Sequence, residues 1–215
     1  MLRRTIHEQV ADKLRKELLN GKILPGERIV ESEVAETLGV SRGPVREALR
    51  QLSKEGFVSY RPHKGCEAKC LSEDEIRESY LIRLELECLA VQIYNGNMEE
   101  KYLETLESAK KALAIAAEKK SVPDIIEADE RFHQAIVEAA GKEKLTDMWK
   151  LLAGVNISAF YIQENERSLP YAYIDRNHSW ILDAFKNHLG TEEIIRILRE
   201  HYGVTPQDLY RGKVE

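Results

Sequence analysis

Long apolar runs are missing from this chain: nowhere do about 18 apolar residues follow one another, which excludes a membrane-spanning helix of the ordinary kind. A targeting segment is missing too. Met1 to Gly21 carry Arg3, Arg4, Lys13, Arg15 and Lys16 without an apolar stretch or a small-residue cleavage site, so a cytoplasmic protein is expected. Cysteine is scarce. Cys66, Cys70 and Cys88 make an odd set of 3 without a C-x-x-C pair, which argues against a disulfide framework and against a cysteine zinc site. Cys66 and Cys70 fall at opposite ends of one expected strand and read as small buried residues rather than a redox pair. Internal repeats and low-complexity segments are absent as well.

What is there is an ordinary composition for a folded protein, 215 residues of which 43% are hydrophobic and 32% charged, enough for one large domain or two small ones. The charge is unevenly placed. The net value of −5 hides a head, residues 1–70, with 14 lysines and arginines against 10 acids, and a body, residues 71–215, with 18 against 27. A basic module joined to an acidic one is what a nucleic-acid-binding head needs, because only the head must displace counterions from a phosphate backbone.

The head is organised around Ser41-Arg42-Gly43-Pro44-Val45-Arg46-Glu47-Ala48-Leu49-Arg50. Val34, Leu38, Val45, Leu49 and Leu52 recur at helical spacing with Gly39 between them, which predicts two short helices joined by a tight turn. Ser41 is placed to cap the second helix and Pro44 sits in its first turn. Arg42, Arg46 and Arg50 then share one face, opposite Val45, Leu49 and Leu52. Such a face is either solvated or laid on DNA, where the arginine fork takes a phosphate or the acceptor pair of guanine. Upstream, Ile6, Val10, Leu14 and Leu18 predict a first helix over 5–20, and Lys22 to Val30 read as a loop. Downstream, 56–60 and 66–70 read as two strands around the basic turn Arg61-Pro62-His63-Lys64-Gly65, a wing.

Leu24-Pro25-Gly26-Glu27-Arg28, Leu38-Gly39-Val40-Ser41-Arg42, Pro44-Val45-Arg46-Glu47-Ala48-Leu49, Glu55-Gly56 and Lys64-Gly65 together resemble the winged-helix domain of GntR-family transcriptional regulators. The resemblance implies DNA contacts at Ser41, Arg42, Gly43, Pro44 and Arg46 and, in the wing, at His63, Lys64 and Gly65; Arg50 continues the basic stripe. Ser32 departs from those members that carry an arginine there, which points to a different preferred operator.

Ser72 and Glu75 form a capping-box pattern that opens the second domain. From there the signals are helical only, over about 73–95, 98–119, 122–140, 142–164, 171–188 and 191–202, with Pro123 near the start of the third segment. Ala109, Ala112, Leu113, Ala116 and Ala117 give one helix a face for close packing. The expected fold is mainly α: a winged helix-turn-helix followed by an all-helical bundle.

Inside that bundle, Asp129 and His133 lie one turn apart, and His178 and His201 each stand at helical spacing from apolar residues. Three imidazoles and a carboxylate suit a zinc, nickel or manganese-type divalent ion, although any one histidine alone is more readily a hydrogen-bonded core or surface residue, as His188 is taken to be. Arg83-x-x-Leu86-Glu87, Asp129-x-x-x-His133, His178-x-x-Ile181-Leu182-x-Ala184 and His201 resemble, in that order, the FCD ligand-binding domain of the FadR branch of GntR regulators. That resemblance implies a metal on Asp129, His133, His178 and His201, and an acidic effector held by Arg83; Asn177 stands where a glutamate is common. The reading is a regulator that binds double-stranded operator DNA as a homodimer and responds to a small organic acid. The alternatives are a metal-dependent hydrolase and a regulator whose metal is purely structural.

Overall fold

The structure, a computed structural model, describes residues 5–61, 65–165 and 171–206. The chain opens with α1 (Ile6–Leu19), whose start is closed by a reciprocal capping box between Thr5 and Glu8 and whose Val10, Ala11, Leu14 and Leu18 turn inward. Next come β1 (Arg28–Ile29), α2 (Glu31–Leu38) and α3 (Arg42–Lys54). Gly39 ends α2 in the left-handed region at φ 64°, a conformation that costs glycine nothing, and so makes the tight turn into α3. Ser41 does stand at the N-cap of α3, but its hydroxyl makes no capping bond. Val45, Ala48, Leu49 and Leu52 are buried along α3 while Arg42, Arg46 and Arg50 remain exposed.

β2 (Val58–Arg61) and β3 (Gly65–Ala68) form the wing and pair antiparallel, with Tyr60 opposite Cys66. Two expectations need correction here. The stretch Lys22 to Val30 is not all loop, since Arg28 and Ile29 pair with Glu67 and Cys66 to make a three-stranded sheet of order β1-β3-β2. Cys66 is buried as expected, but β3 ends at Ala68 and Cys70 lies exposed beyond it, so the two are not a buried pair on one strand.

The body is helical throughout its described residues: α4 (Glu73–Ile93), α5 (Glu100–Lys119), α6 (Val122–Glu138), α7 (Glu143–Lys150), α8 (Gly154–Asn165), α9 (Tyr171–Lys186) and α10 (Thr191–Tyr202). The Ser72–Glu75 capping box opens α4 as its spacing predicts. The single helix expected over 142–164 is two, α7 and α8, separated by the turn Leu151–Ala153. Gly154 explains the break, because its backbone lies against that of Gly56 in the head and a methyl at Gly154 would overlap the Gly56 carbonyl oxygen. A continuous helix would have to abandon that contact.

Two large cores result. One joins α1, α3 and the wing to Leu113, Val122, Ile125, Ile126 and Ile157 of the body, so head and body share buried apolar surface. The other lies among α4, α5, α6, α9 and α10, around Leu84, Leu106, Phe132, Ile181, Phe185 and Leu198. Each fully buried side chain of this size contributes about 1.5–3 kcal/mol relative to leaving it in water. Ala109, Leu113 and Ala116 of α5 are buried, as the close-packing face requires. On α4 a second stripe faces outward: Ile82, Leu89 and Ile93 are 44%, 45% and 39% exposed.

Candidate metal centre and nucleic-acid interface

α6 contributes Asp129 and His133, α9 contributes His178 and α10 contributes His201, and the ligand atoms of the three histidines all lie within 4.8 Å of one another. Asp129 lies beside two of them, with Oδ1 at 3.0 Å from His178 Nε2 and 4.0 Å from His133 Nε2. Phe132 braces the rings edge-on, at 5.5 Å from His133 and 4.9 Å from His178.

Asp129, His133 and His178 are held from behind, whereas His201 Nδ1 is buried without a hydrogen-bond partner among the described residues. His133 Nδ1 meets Glu87 Oε2 at 2.9 Å, and His178 Nδ1 donates to the Ile174 carbonyl at 2.8 Å. Asn156 Nδ2 donates to Asp129 Oδ2 at 2.6 Å, and Tyr80 donates to Asn156 Oδ1 at 3.0 Å. Glu87 also accepts from Trp149 Nε1 at 3.1 Å and from the Tyr202 hydroxyl at 2.5 Å, so a fully buried carboxylate is satisfied. Nitrogens pinned at Nδ1 with Nε2 directed inward are the arrangement that orients metal-binding imidazoles.

The donor chemistry fits a cation. A neutral imidazole has one N–H, yet His178 faces an acceptor at each nitrogen. The Nε2 lone pair and the Asp129 oxygen it faces are a pair of donors that a positive ion could share. His133 and His201 bring their Nε2 atoms to 3.1 Å, an approach that two lone pairs would resist and that a shared proton or ion accommodates. Burial pushes Asp129 up, but the hydrogen bond from His178 and the neighbouring histidines outweigh it and hold the carboxyl well below its usual range. His201 is driven well below an ordinary histidine, first by burial and then by the charges of His178 and His133, which keeps its imidazole neutral and able to act as a ligand. Burial also lowers His133, but Glu87 overcomes it and raises the pair's affinity for positive charge.

These groups line a cavity of about 210 Å³ together with Arg83, Phe160, Asn177 and Tyr202. Arg83 is fully buried, stacks on the Trp149 ring at 4.1 Å, and donates from Nη1 to Glu130 at 2.8 Å and to the Leu152 carbonyl at 3.3 Å. Its Nε has no hydrogen-bond partner among the described residues. Burial and the Glu130 carboxylate act in opposite directions on the guanidinium, and the carboxylate prevails, so Arg83 stays charged.

On the head, Arg42, Arg46 and Arg50 expose 63%, 48% and 63% of their side chains along α3. Ser41 and Gly43 are exposed beside them, Pro44 is half-buried, Gly65 begins β3, and His63 and Lys64 lie outside the described residues. Glu31 sits at the centre of this face. It accepts from Arg46 Nη2 at 3.0 Å and from the Tyr60 hydroxyl at 2.6 Å, and Arg42 Nη2 approaches to 3.7 Å. One carboxylate thereby ties α2, α3 and β2. The face continues as a groove of about 790 Å³ between α3, Tyr60 and His7.

Sequence reasoning missed Glu31, His7, Tyr80, Glu87 as a support for His133, Glu130, Trp149, Asn156 and Tyr202. For Glu87 a signal existed, since a charge stands among Leu84, Cys88 and Val91 on the inward face of α4. Asn156 and Glu130 carry no such mark.

Residues 6–67 match the family described as bacterial regulatory proteins, gntR family, and residues 78–203 match the FCD domain. The chain belongs to the GntR-type transcriptional regulators that carry an FCD domain. It is 33% identical to the HTH-type transcriptional regulator YdhC of Bacillus subtilis (strain 168) over 144 residues, 65% of this chain and 63% of that protein. With the HTH-type transcriptional repressor RspR of Escherichia coli (strain K12) it shares 28% over 196 residues, 91% of this chain and 85% of that one. The solved structure of McbR/YncC from E. coli superposes with a TM-score of 0.78 at 26% identity, covering 98% of this chain and all of that chain. Both families are those of regulators, so the hydrolase alternative is set aside: this is a transcriptional regulator, of a family that binds operator DNA. Among its described helices none is long and apolar enough to cross a membrane.

The ion pairs around Glu31 set a pH dependence. The hydrogen bonds from Arg46 and then Tyr60 lower Glu31 from its ordinary 4.5, so its contribution to stability is fully present above 4.5 and disappears as the pH falls through the lowered folded value. Melting curves of the wild type and Glu31→Gln should therefore differ most at about pH 7 and converge only as the pH falls through the lowered folded value. A difference that stays constant over that range would mean the carboxylate charge contributes nothing to the fold.

Proposed function

We propose that the cavity of this regulator seats one divalent ion on Asp129, His133, His178 and His201, and that a small organic acid entering beside it pairs with Arg83 and changes the affinity of a homodimer for double-stranded operator DNA. The observation that carries the reading is the convergence of three imidazole nitrogens, with Asp129 Oδ1 beside those of His178 and His133 and with Glu87, the Ile174 carbonyl and Asn156 behind His133, His178 and Asp129. A zinc, nickel or manganese-type ion fits these ligands and would offer positions to an incoming carboxylate. The size of the cavity and the unpartnered Nε of Arg83 favour an effector seat over a purely structural ion. The chain's own part is to orient: Glu87 fixes the His133 ring, Asn156 turns Asp129, and Arg83 selects an anion.

The metal reading is tested by elemental analysis of the purified protein. His133→Ala and His178→Ala should each lose stoichiometric metal, with affinity down at least about 10-fold from the loss of one ligand. Wild-type stoichiometry in both variants would put the ion elsewhere.

For the DNA interface, support comes from the exposed stripe Arg42, Arg46 and Arg50, with Ser41, Gly43 and Pro44 at its start, and the resemblance adds His63, Lys64 and Gly65. Arg42→Ala and Arg46→Ala should each weaken binding to a duplex selected from a random pool by about 1–3 kcal/mol, with Lys64→Ala acting more weakly. If the double arginine variant binds as the wild type does, α3 is not the recognition helix.

The domain division we propose places the DNA-binding unit at 1–70 and the regulatory and dimerisation unit at 71–215. One recognition helix buries too little surface for specific affinity, which two heads on a near-palindrome provide. Ile82, Leu89 and Ile93 on α4 offer an apolar stripe for pairing. Leu89→Lys should convert a dimer to monomers in sedimentation velocity at micromolar concentration. A wild type already monomeric with and without DNA would defeat this part.

A further inference from the structure

The three arginines of α3 are not equivalent. Arg50 pairs at 3.0 Å with Glu47 of the same helix, both side chains open to solvent, and Arg42 stands 3.7 Å from Glu31, too far for a hydrogen bond. Arg46 is gripped from outside its helix: Nε lies 3.2 Å and 3.3 Å from the two oxygens of Glu31, and Nη2 lies 3.0 Å from Oε2. Glu31 is itself fixed. It opens α2, where a helix N-terminus favours negative charge, it accepts from the Tyr60 hydroxyl of β2 at 2.6 Å, and only 13% of its side chain is exposed. An ion pair between two free surface side chains is weak because both must be ordered to form it, but here one partner is already set into the fold.

The geometry of the guanidinium turns this grip into a constraint on what Arg46 can recognise. A guanidinium carries five N–H donors in one plane. Glu31 takes Nε and one hydrogen of Nη2, which together form one edge of that plane. The edge formed by Nη1 and the second hydrogen of Nη2 has no partner among the described residues. Two parallel donors on a fixed plane match the O6 and N7 acceptors of guanine, and a plane held in advance loses less freedom on binding than a loose one. A phosphate gains less from the arrangement. It attracts through charge, from many directions, and the charge of Arg46 is already offset by Glu31, so Arg46 releases few counterions from arbitrary DNA.

We infer that Glu31 is a positioning residue for sequence recognition: it takes one edge of Arg46, offsets its charge toward arbitrary phosphates, and leaves the opposite edge as a fixed fork for a guanine. This rests on α3 being the recognition helix. Tyr60 acts one step further back, through the carboxylate and not through the DNA.

The test uses the full chain and two duplexes of equal length and composition, one selected from a random pool by the wild type and one scrambled, each titrated over a range of salt. Glu31→Gln keeps the shape and removes the charge. It should bind the scrambled duplex about 2- to 5-fold more tightly, the value of one exposed ion pair released, with a salt dependence steeper by about one unit of slope. The ratio of selected to scrambled affinity should fall at least about 5-fold, and single base-pair changes in the selected duplex should show the discrimination lost at the same guanine that Arg46→Lys no longer reads. Tyr60→Phe keeps the charge of Glu31 and should keep the wild-type slope. Should Glu31→Gln fail to fold, Glu31→Asp, one methylene shorter, draws the carboxylate away from Nε and Nη2 and should lower the ratio in the same direction. A Glu31 variant that weakens both duplexes by one common factor, or that keeps the wild-type ratio and slope, overturns the role of Glu31 while Arg46→Lys still shows that α3 reads DNA. An Arg46→Lys protein that also keeps the wild-type ratio overturns the recognition contact of Arg46 and the role of Glu31 together.

Discussion

Charge enclosed in the middle of a helical bundle is the constraint on which the rest of this structure turns. Arg83, Glu87, Asp129, His133 and His178 are all buried among apolar helices. An unpaired ion in such a place costs several kcal/mol even after relaxation, so each must find partners, and the partners come from different helices. Glu87 on α4 gathers His133 of α6, Trp149 of α7 and Tyr202 of α10. Arg83 gathers Glu130 of α6 and the turn that precedes α8. The polar groups therefore specify how the bundle is assembled, while its stability rests on the apolar clusters around Phe132 and Phe185.

A site of this kind is also poised. Replacing a buried pair by apolar residues often leaves stability unchanged or raises it, so pairs such as Arg83 with Glu130 are poor investments unless they are exchanged for something. Burial raises Glu130 above an ordinary carboxyl even beside the guanidinium, so the attraction of the pair does not fully offset its desolvation. The same guanidinium nitrogen also holds the Leu152 carbonyl, so the ion pair and the turn before α8 are fixed together.

How much of this was written in the sequence depends on the range of the interaction. The helix-turn-helix, the Gly39 turn and the Ser72 cap are local, fixed by residues within about one turn of each other, and they were legible. β1 was not, because two residues make a strand only when β3 arrives to pair with them, and the break between α7 and α8 was not, because it serves a contact with Gly56 nearly 100 residues away in the chain. Ser41 shows the limit of a local rule: it occupies the cap position, yet its hydroxyl does not cap. Asp129 and His133 could be paired from their spacing alone, whereas adding His178 and His201 needed the resemblance to a family. Periodicity placed each on an inward face without saying that the faces meet. Asn156 and Glu130 were illegible because their neighbours in sequence do not select for them.

The charge asymmetry of the chain fits the same division of labour. With an excess of 4 positive charges on residues 1–70 and of 9 negative charges on the remainder, the body is repelled by the phosphate backbone that attracts the head. Non-specific attraction must then come from a small set of head side chains, and those on α3 are partly engaged already. Glu31 holds Arg46 and stands near Arg42, so part of the basic face is neutralised before DNA arrives. A phosphate alone must compete with that carboxylate, while a guanine presenting two acceptors in the major groove can add contacts that a phosphate cannot match in register. For the proposed contact of Arg46 with a base, holding it on an internal acid lowers affinity for arbitrary sequence more than for the right one. A regulator needs that difference, since its useful quantity is the ratio between operator and bulk DNA rather than the strength of either.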